Sequence, residues 1–243
     1  MEKGISVIIP VRDNSKNNNK DLVYALRSIE MNLKGIGDIF IVGKKIIGLR
    51  GLKYISCSDE PTGKKKEKNI YQKILAAISH LEVTEDFCFL NDDHYLLQEF
   101  DVNSLPFYHK GSLEDTMAKN LGDYRKSVNH TRKYLLSKDK PTTDFDTHFP
   151  ILYNKNDFCT FVCNKELNWD QPFGYVIKSL YANLKGIEGE FGGDCKVQKS
   201  MSYDEIVAKI GDKKFFSTSD RCMNADMMKF LEEKYPNKSR YER

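Results

Sequence analysis

Four short apolar runs, each stopping at a polar or glycine-containing segment and spaced by two amphipathic stretches, constrain this chain more than any other feature. Ile5-Ser6-Val7-Ile8-Ile9-Pro10, Asp38 to Gly43, Lys53 to Cys57 and Asp86 to Leu90 are the runs. Runs this short and this apolar suit parallel strands covered on both faces. Between the first two, Asp21 can cap a helix on which Leu22, Leu26, Ile29 and Leu33 form one stripe, ended by Gly35 and Gly37. Before the fourth run, Ile70, Ile74, Ile78 and Leu81 form a second stripe. Strand, helix, strand, strand, helix, strand is the order of a doubly wound α/β sheet, which binds its ligands beyond the carboxyl ends of the strands. Two polar clusters fall at those ends: Pro10-Val11-Arg12-Asp13 and Asn91-Asp92-Asp93-His94.

Beyond residue 105 the pattern is less regular. Ser112 opens a long helical pattern through Met117, Leu121, Tyr124 and Val128, and residues 138–148 read as a loop. Ile177 to Leu184 suggest a helix stopped by Gly186, and Gly189 to Gly193 a turn. Ser202 and Glu205 form a capping box. Lys214 to Ser217 read as a strand, and Met227, Met228 and Leu231 mark a last helix. No repeat or low-complexity linker divides the chain. Residues 1–105, ending just past Asn91-Asp92-Asp93, and residues 106–243 are therefore expected to be two halves of one compact unit.

Two adjacent carboxylates after a buried strand repel each other, and desolvation adds to the penalty. A hard cation, Mn²⁺ or Mg²⁺, relieves both by taking their oxygens and completing its shell with waters and phosphate oxygens. Asp92 and Asp93 are thus candidate metal ligands, although the same residues also suit a plain polar turn. His148, in Asp144-Phe145-Asp146-Thr147-His148-Phe149-Pro150, suits a metal ligand, a general base near neutral pH, or a bonded loop histidine. Asp146 is a second candidate base. Asp220 could be a further carboxylate at the same mouth or the cap of the last helix. Pro10, Val11, Arg12, Asp13 and Asn91 are candidates for contacting a nucleotide or its phosphates, as is Arg27, which could equally be a surface charge on the first helix.

With 38 basic and 35 acidic residues the net charge is +3, too small to demand a polyanionic partner. Two basic clusters, Lys64-Lys65-Lys66 with Lys68 and Arg125-Lys126 with Arg132-Lys133, leave room for one. No run approaches the roughly 18 apolar residues that span a bilayer, and the first residues carry no secretory pattern. A cytoplasmic location is expected, with the six cysteines reduced. Cys159 and Cys163 lack the second pair that a zinc site needs.

Several segments, in order, resemble the Stealth-type sugar-phosphate transferases, which include bacterial capsular polysaccharide phosphotransferases. These are Asp21 to Glu30 followed by Ile39 to Val42, Phe87 to Asp93, Thr147 to Pro150, and Phe215 to Asp220 with Leu231 to Glu242. The resemblance spans residues 21–242. It implies a glycosyltransferase-A-like, Rossmann-like mixed sheet flanked by helices, a nucleoside diphosphate sugar donor and a divalent metal. It also implies that Asp92, Asp93 and Asp220 are acidic site residues, His148 a catalytic residue and Arg27 a substrate-site residue. The opening Ser-Val-Ile-Ile-Pro-Val-Arg-Asp is closer to family-two-type glycosyltransferases, and Ser219 stands where the family has asparagine. Transfer of a sugar and transfer of a hexose phosphate both stay open. The acceptor is a hydroxyl on a glycan or on a hydroxymethylated base in DNA. Two further readings are a nucleotidyltransferase, although residues 10–19 lack its usual glycines, and a non-catalytic nucleotide-sugar-binding module.

Overall fold

The computed structural model describes residues 4–13, 19–60, 66–171 and 173–243. In chain order the elements are β1 (Ile5–Pro10), α1 (Lys20–Asn32), β2 (Leu33–Lys34), β3 (Ile36–Val42), β4 (Lys53–Ile55), α2 (Lys66–Ile78) and β5 (Asp86–Phe89). There follow β6 (His94–Leu96), β7 (Phe100–Asp101), β8 (Tyr108–His109), α3 (Leu113–Lys119), α4 (Gly122–Ser137), β9 (Ile151–Asn154) and α5 (Lys155–Phe161). The chain closes with α6 (Ile177–Lys185), β10 (Glu190–Phe191), α7 (Tyr203–Ile210), β11 (Phe215–Ser217) and α8 (Ala225–Lys234).

The central sheet has the order β4-β3-β1-β5-β9. Its first four strands are parallel and β9 pairs antiparallel with β5, from Asp86↔Asn154 to Phe89↔Ile151. The chain is therefore a mixed α/β sheet flanked by helices. Alternation along β1 explains the layering. Val7 and Ile9 join α1 residues Leu22, Leu26 and Ile29 on one face. Ile8 joins Ile74 and Ala77 of α2, together with residues of α4 and α6, on the other. The named leucines and isoleucines are essentially inaccessible to water, so truncating Ile8, Ile9, Leu22, Leu26, Ile29 or Ile74 to alanine costs about 2–5 kcal/mol. A third cluster packs α7, α8 and the β6–β11 pair against Tyr24 and Ala25 of α1.

Strand order reverses between β1 and β5. β1 is followed in sequence by a neighbour on one side and β5 is reached from β4 at the far edge, so their carboxyl ends flank the crevice where such sheets take ligands. Gly43, just past β3, is needed there. Its φ is +141° and a Cβ would lie 2.5 Å from the Val11 carbonyl oxygen, which belongs to the loop leaving β1.

Several expectations need correction. α1 begins at Lys20 with Asn19 in the N-cap position, and Asp21 sits in its first turn rather than capping it. That helix ends at Asn32, ahead of the glycines, because Leu33–Lys34 pair with Phe100–Asp101. Leu81 lies beyond α2 and is 99% exposed. The long pattern from Ser112 is two helices: Ser112 caps α3 in a full capping box with Asp115, and the break leaves Leu121 83% exposed. The Gly189–Gly193 turn contains β10, paired with β8. β9 and α5 fall in a stretch whose pattern gave neither. Cys163 lies past the end of α5, which holds Cys159, and no cysteine of the chain is disulfide-bonded. Lys64 and Lys65 lie outside the described residues. The helix stopped by Gly186, in the left-handed conformation, and the Ser202–Glu205 box are present as expected.

Candidate active site

The loop leaving β1 is held from below. Lys73, buried on α2, donates from Nζ to the Val11 carbonyl and to Asp59 Oδ1, both at 2.6 Å. Asp59 in turn accepts from the Asp13 amide (3.2 Å), while the Asp59 amide donates to Asp13 Oδ2 (3.1 Å). A buried lysine with two strong acceptors is satisfied, and it ties Val11 and, through Asp59, Asp13 to α2. Arg12, 68% exposed, reaches across to Asp220, with Nη2 at 3.2 Å and 3.3 Å from its two carboxylate oxygens. An exposed pair of this kind stabilises the fold little, and Arg12 is available to a stronger anion.

At the end of β5, the Asn91 amide donates to His94 Nδ1 (3.4 Å) and the His94 amide to the Asn91 carbonyl (3.3 Å). Because Nδ1 accepts, the ring proton sits on Nε2. Burial first, then nearby cations, hold the His94 imidazole well below its ordinary range, and it stays neutral. His94 Nε2 and Asp93 Oδ1 are buried without a hydrogen-bond partner and lie 3.8 Å apart. Burial, then Asp93 and Asp21, push the Asp92 carboxyl up to about 7.

The His148 loop is pinned by Lys178 of α6, whose buried Nζ donates to the carbonyls of Thr147 (2.7 Å) and Phe149 (2.6 Å). Beside it, Asp144 is buried and accepts from Thr116 (2.5 Å), Ser179 (3.0 Å) and the Asp146 amide (2.9 Å). Asp194 accepts from the His148 amide (3.0 Å) and meets its Nδ1 at 2.8 Å. Burial acts to raise the Asp194 carboxyl, but the His148 hydrogen bond and charge outweigh it and bring it down to about 2. Lys196 Nζ lies 3.1 Å from His148 Nε2 and 3.7 Å from Asp93 Oδ2.

These three segments enclose a cleft of about 510 Å³. Pro10, Val11, Arg12, Asn91, Asp92, Asp93, His148 and Asp220 all line it. Asp13 lies at its edge, in a neighbouring hollow of about 480 Å³ bounded by Gly43, Lys44, Lys45 and Tyr54. Asp146 does not line the cleft: it accepts from the Tyr124 hydroxyl (2.7 Å), and although burial acts to raise its carboxyl, Lys110 and Lys178 keep it lowered. Arg27 is also elsewhere, forked onto Glu242 at 2.8 and 2.7 Å with a third bond to the Tyr235 carbonyl. Sequence reasoning missed Asp59, Lys73, Asp194 and Lys196. Only Lys73 left a trace, as a lysine placed on the apolar stripe of its helix.

No cluster of three or more metal-binding side chains forms among the described residues. The donor set nevertheless fits a hydrated hard cation. Such an ion needs only one or two carboxylates and takes the rest of its shell from water and phosphate. The partnerless Asp93 Oδ1 and the raised Asp92 carboxyl are what an acidic pair shows when its counter-charge is a ligand.

No family model matches the sequence, and no curated protein matches it. Solved structures are similar in chain path. One is the apo-form glycosyltransferase GlyE of Streptococcus pneumoniae TIGR4 (9% identity, TM-score 0.44), covering 96% of this chain, which spans 60% of GlyE. A second is the galactosyltransferase LgtC, solved with donor and acceptor sugar analogs (11% identity, TM-score 0.49, covering 97% of this chain and 98% of LgtC). A third is mouse xyloside xylosyltransferase 1 in its apo form (10% identity, TM-score 0.42, covering 89% of this chain and 98% of that one). At this level of identity no residue or ligand of those proteins is carried over to this chain. Among the described residues no helix is long and apolar enough to cross a membrane.

Proposed function

We propose that this chain is a metal-dependent glycosyltransferase, taking its sugar from a nucleoside diphosphate sugar and giving it to a hydroxyl acceptor. The observation that carries the reading is the pairing, across one cleft at the sheet's switch point, of the Asp92–Asp93 carboxylates with a histidine oriented by its own carboxylate. Arg12, Lys66 and Lys196 line the same cleft and supply positive charge for a diphosphate. Asp92 and Asp93 would hold Mn²⁺ or Mg²⁺, which when bound neutralises charge developing on the departing diphosphate. His148 Nε2 takes the proton of the acceptor hydroxyl, and Asp194 stabilises the imidazolium so formed. The acceptor oxygen bonds to the anomeric carbon, the bond from that carbon to the β-phosphate oxygen breaks, and the nucleoside diphosphate leaves with the electron pair. The half before residue 106 binds the donor, and the half after it brings His148, Asp194 and Lys196 to the acceptor side.

The test is a thermal-shift panel of nucleotide sugars with and without Mn²⁺, followed by product analysis with glycan acceptors. A ligand that binds the folded state raises its melting temperature. A metal-dependent rise with one donor and release of the nucleoside diphosphate support the reading. A product with a phosphodiester, and release of the nucleoside monophosphate, would instead support the sugar-phosphate transfer implied by the Stealth resemblance. Donor binding without turnover would leave a binding module, and no shift with any donor under any metal condition would refute the assignment.

A further inference from the structure

The proposed base is not free in the structure. Asp194 uses both oxygens on His148, one for the backbone amide and one for Nδ1, so the ring proton sits on Nδ1 and the Nε2 lone pair faces the cleft. That lone pair is met by Lys196 Nζ at 3.1 Å, within hydrogen-bond distance, and an ammonium group can only donate. The same ammonium is 3.7 Å from Asp93 Oδ2, close enough for charge attraction but beyond a hydrogen bond. Lys196 therefore stands between the proton acceptor and the acidic pair, on a flexible stem with rotatable donors.

We propose that Lys196 is a ligand-operated cap on His148, closed in the empty protein and drawn off by the diphosphate of the donor, with Asp194 as the positioning residue that holds the ring in register with it. The inference rests on the glycosyltransferase reading for the identity of the ligand and on the geometry alone for the cap. An ammonium bound to a neutral imidazole makes a single charge-assisted hydrogen bond, whereas a phosphate oxygen offers it a full opposite charge as well. A diphosphate beside Asp92 and Asp93 enters the space next to Lys196 and wins that competition. Its arrival frees Nε2, so the base becomes available only once the group to be transferred is in place. Donor before acceptor is the order of binding that follows.

The experiment is ¹⁵N NMR of the whole chain labelled at histidine, recorded at a pH where the ¹⁵N shifts themselves report neutral rings. Inorganic pyrophosphate is the probe, with and without Mg²⁺. Lys196→Met should move the His148 Nε2 signal toward that of an unbonded nitrogen, and Lys196→Arg should hold it nearer the wild-type position. Pyrophosphate should move the wild-type signal in the same direction as Lys196→Met and leave the Lys196→Met signal in place. Asp194→Asn should shift the Nδ1–H signature, which a residue serving only to support the fold would leave alone. A His148 Nε2 signal identical in wild type and Lys196→Met overturns the cap, and a wild-type signal indifferent to pyrophosphate overturns its release. The two readings fail separately. Turnover with an unmoved Nε2 signal rejects the cap alone, and a responsive signal with no turnover from any nucleotide sugar rejects the enzyme assignment alone.

Discussion

Asp92→Asn is expected to make the metal-free protein more stable at alkaline pH and leave it unchanged in acid. In the folded chain, burial, then Asp93 and Asp21, lift the Asp92 carboxyl from its ordinary 3.8 to about 7. Between those values the folded state keeps a proton that the unfolded chain has released. Stability from this group thus falls as pH rises from about 4 to about 7, and the full penalty stands above 7. A rise of roughly three units at about 1.36 kcal/mol each gives an upper bound of about 4 kcal/mol. The side chain is only partly shielded from water, so screening brings the working figure to about 2 kcal/mol. In a domain of this size that corresponds to a melting temperature higher by roughly 4–8 °C. Thermal melts of wild type and Asp92→Asn in EDTA, at about pH 4 and about pH 8, make the comparison. Adding Mn²⁺ at the higher pH should raise the wild type and not the variant. A variant melting at or below the wild type at about pH 8 without metal would refute the claim that burial and the neighbouring carboxylates penalise an ionised Asp92.

Three further perturbations address the rest of the structure. His148→Asn should lower kcat about 10²–10⁴-fold, the range of a lost general base, with the donor KM unchanged in steady-state kinetics. Glu242→Ala leaves the largely buried Arg27 guanidinium without its fork and should cost roughly 2–4 kcal/mol in urea unfolding. That loss should shrink in acid: burial acts to raise Glu242, but Arg27 outweighs it and holds the carboxyl below 4.5, so its contribution is present above that value and disappears as pH falls through the lowered one. Burial lowers Lys178 from 10.5 to about 8, so the unfolded chain binds more protons between those values and wild-type stability should gain there as pH rises. Lys178→Met should lack that gain and show faster amide exchange at residues 147–149, whose carbonyls it no longer holds.

The first half of the fold was legible because β1, β3 and β5 are buried on both faces, and each therefore reads as an uninterrupted apolar run. The clusters at residues 10–13 and 91–93 followed from the rule that places ligands at strand ends. Their neighbours were not legible, because the pairs that build the cleft join residues far apart in sequence. Asp59 meets Asp13 across 46 positions and Lys196 meets His148 across 48. Asp194 sits in a glycine-rich turn with no periodicity to read. β9 was missed because its four residues follow a proline in a polar stretch, and only pairing with β5 makes them a strand. The split of α3 from α4 was hidden because Leu121 continues the apolar spacing while pointing into water. Arg27 looked available on its helix because its partner, Glu242, is 215 residues away.

The rung joining Phe89 to Ile151 has a mechanical consequence. Asp93 comes four residues after one end of that rung and His148 three residues before the other, so the two jaws of the cleft are riveted to a single pair of strands. The pairing fixes where both loops are rooted, so the spacing at the base of the cleft follows the strand register. Arg12 and Lys196, which reach over the cleft on long stems, can reposition without disturbing that rung.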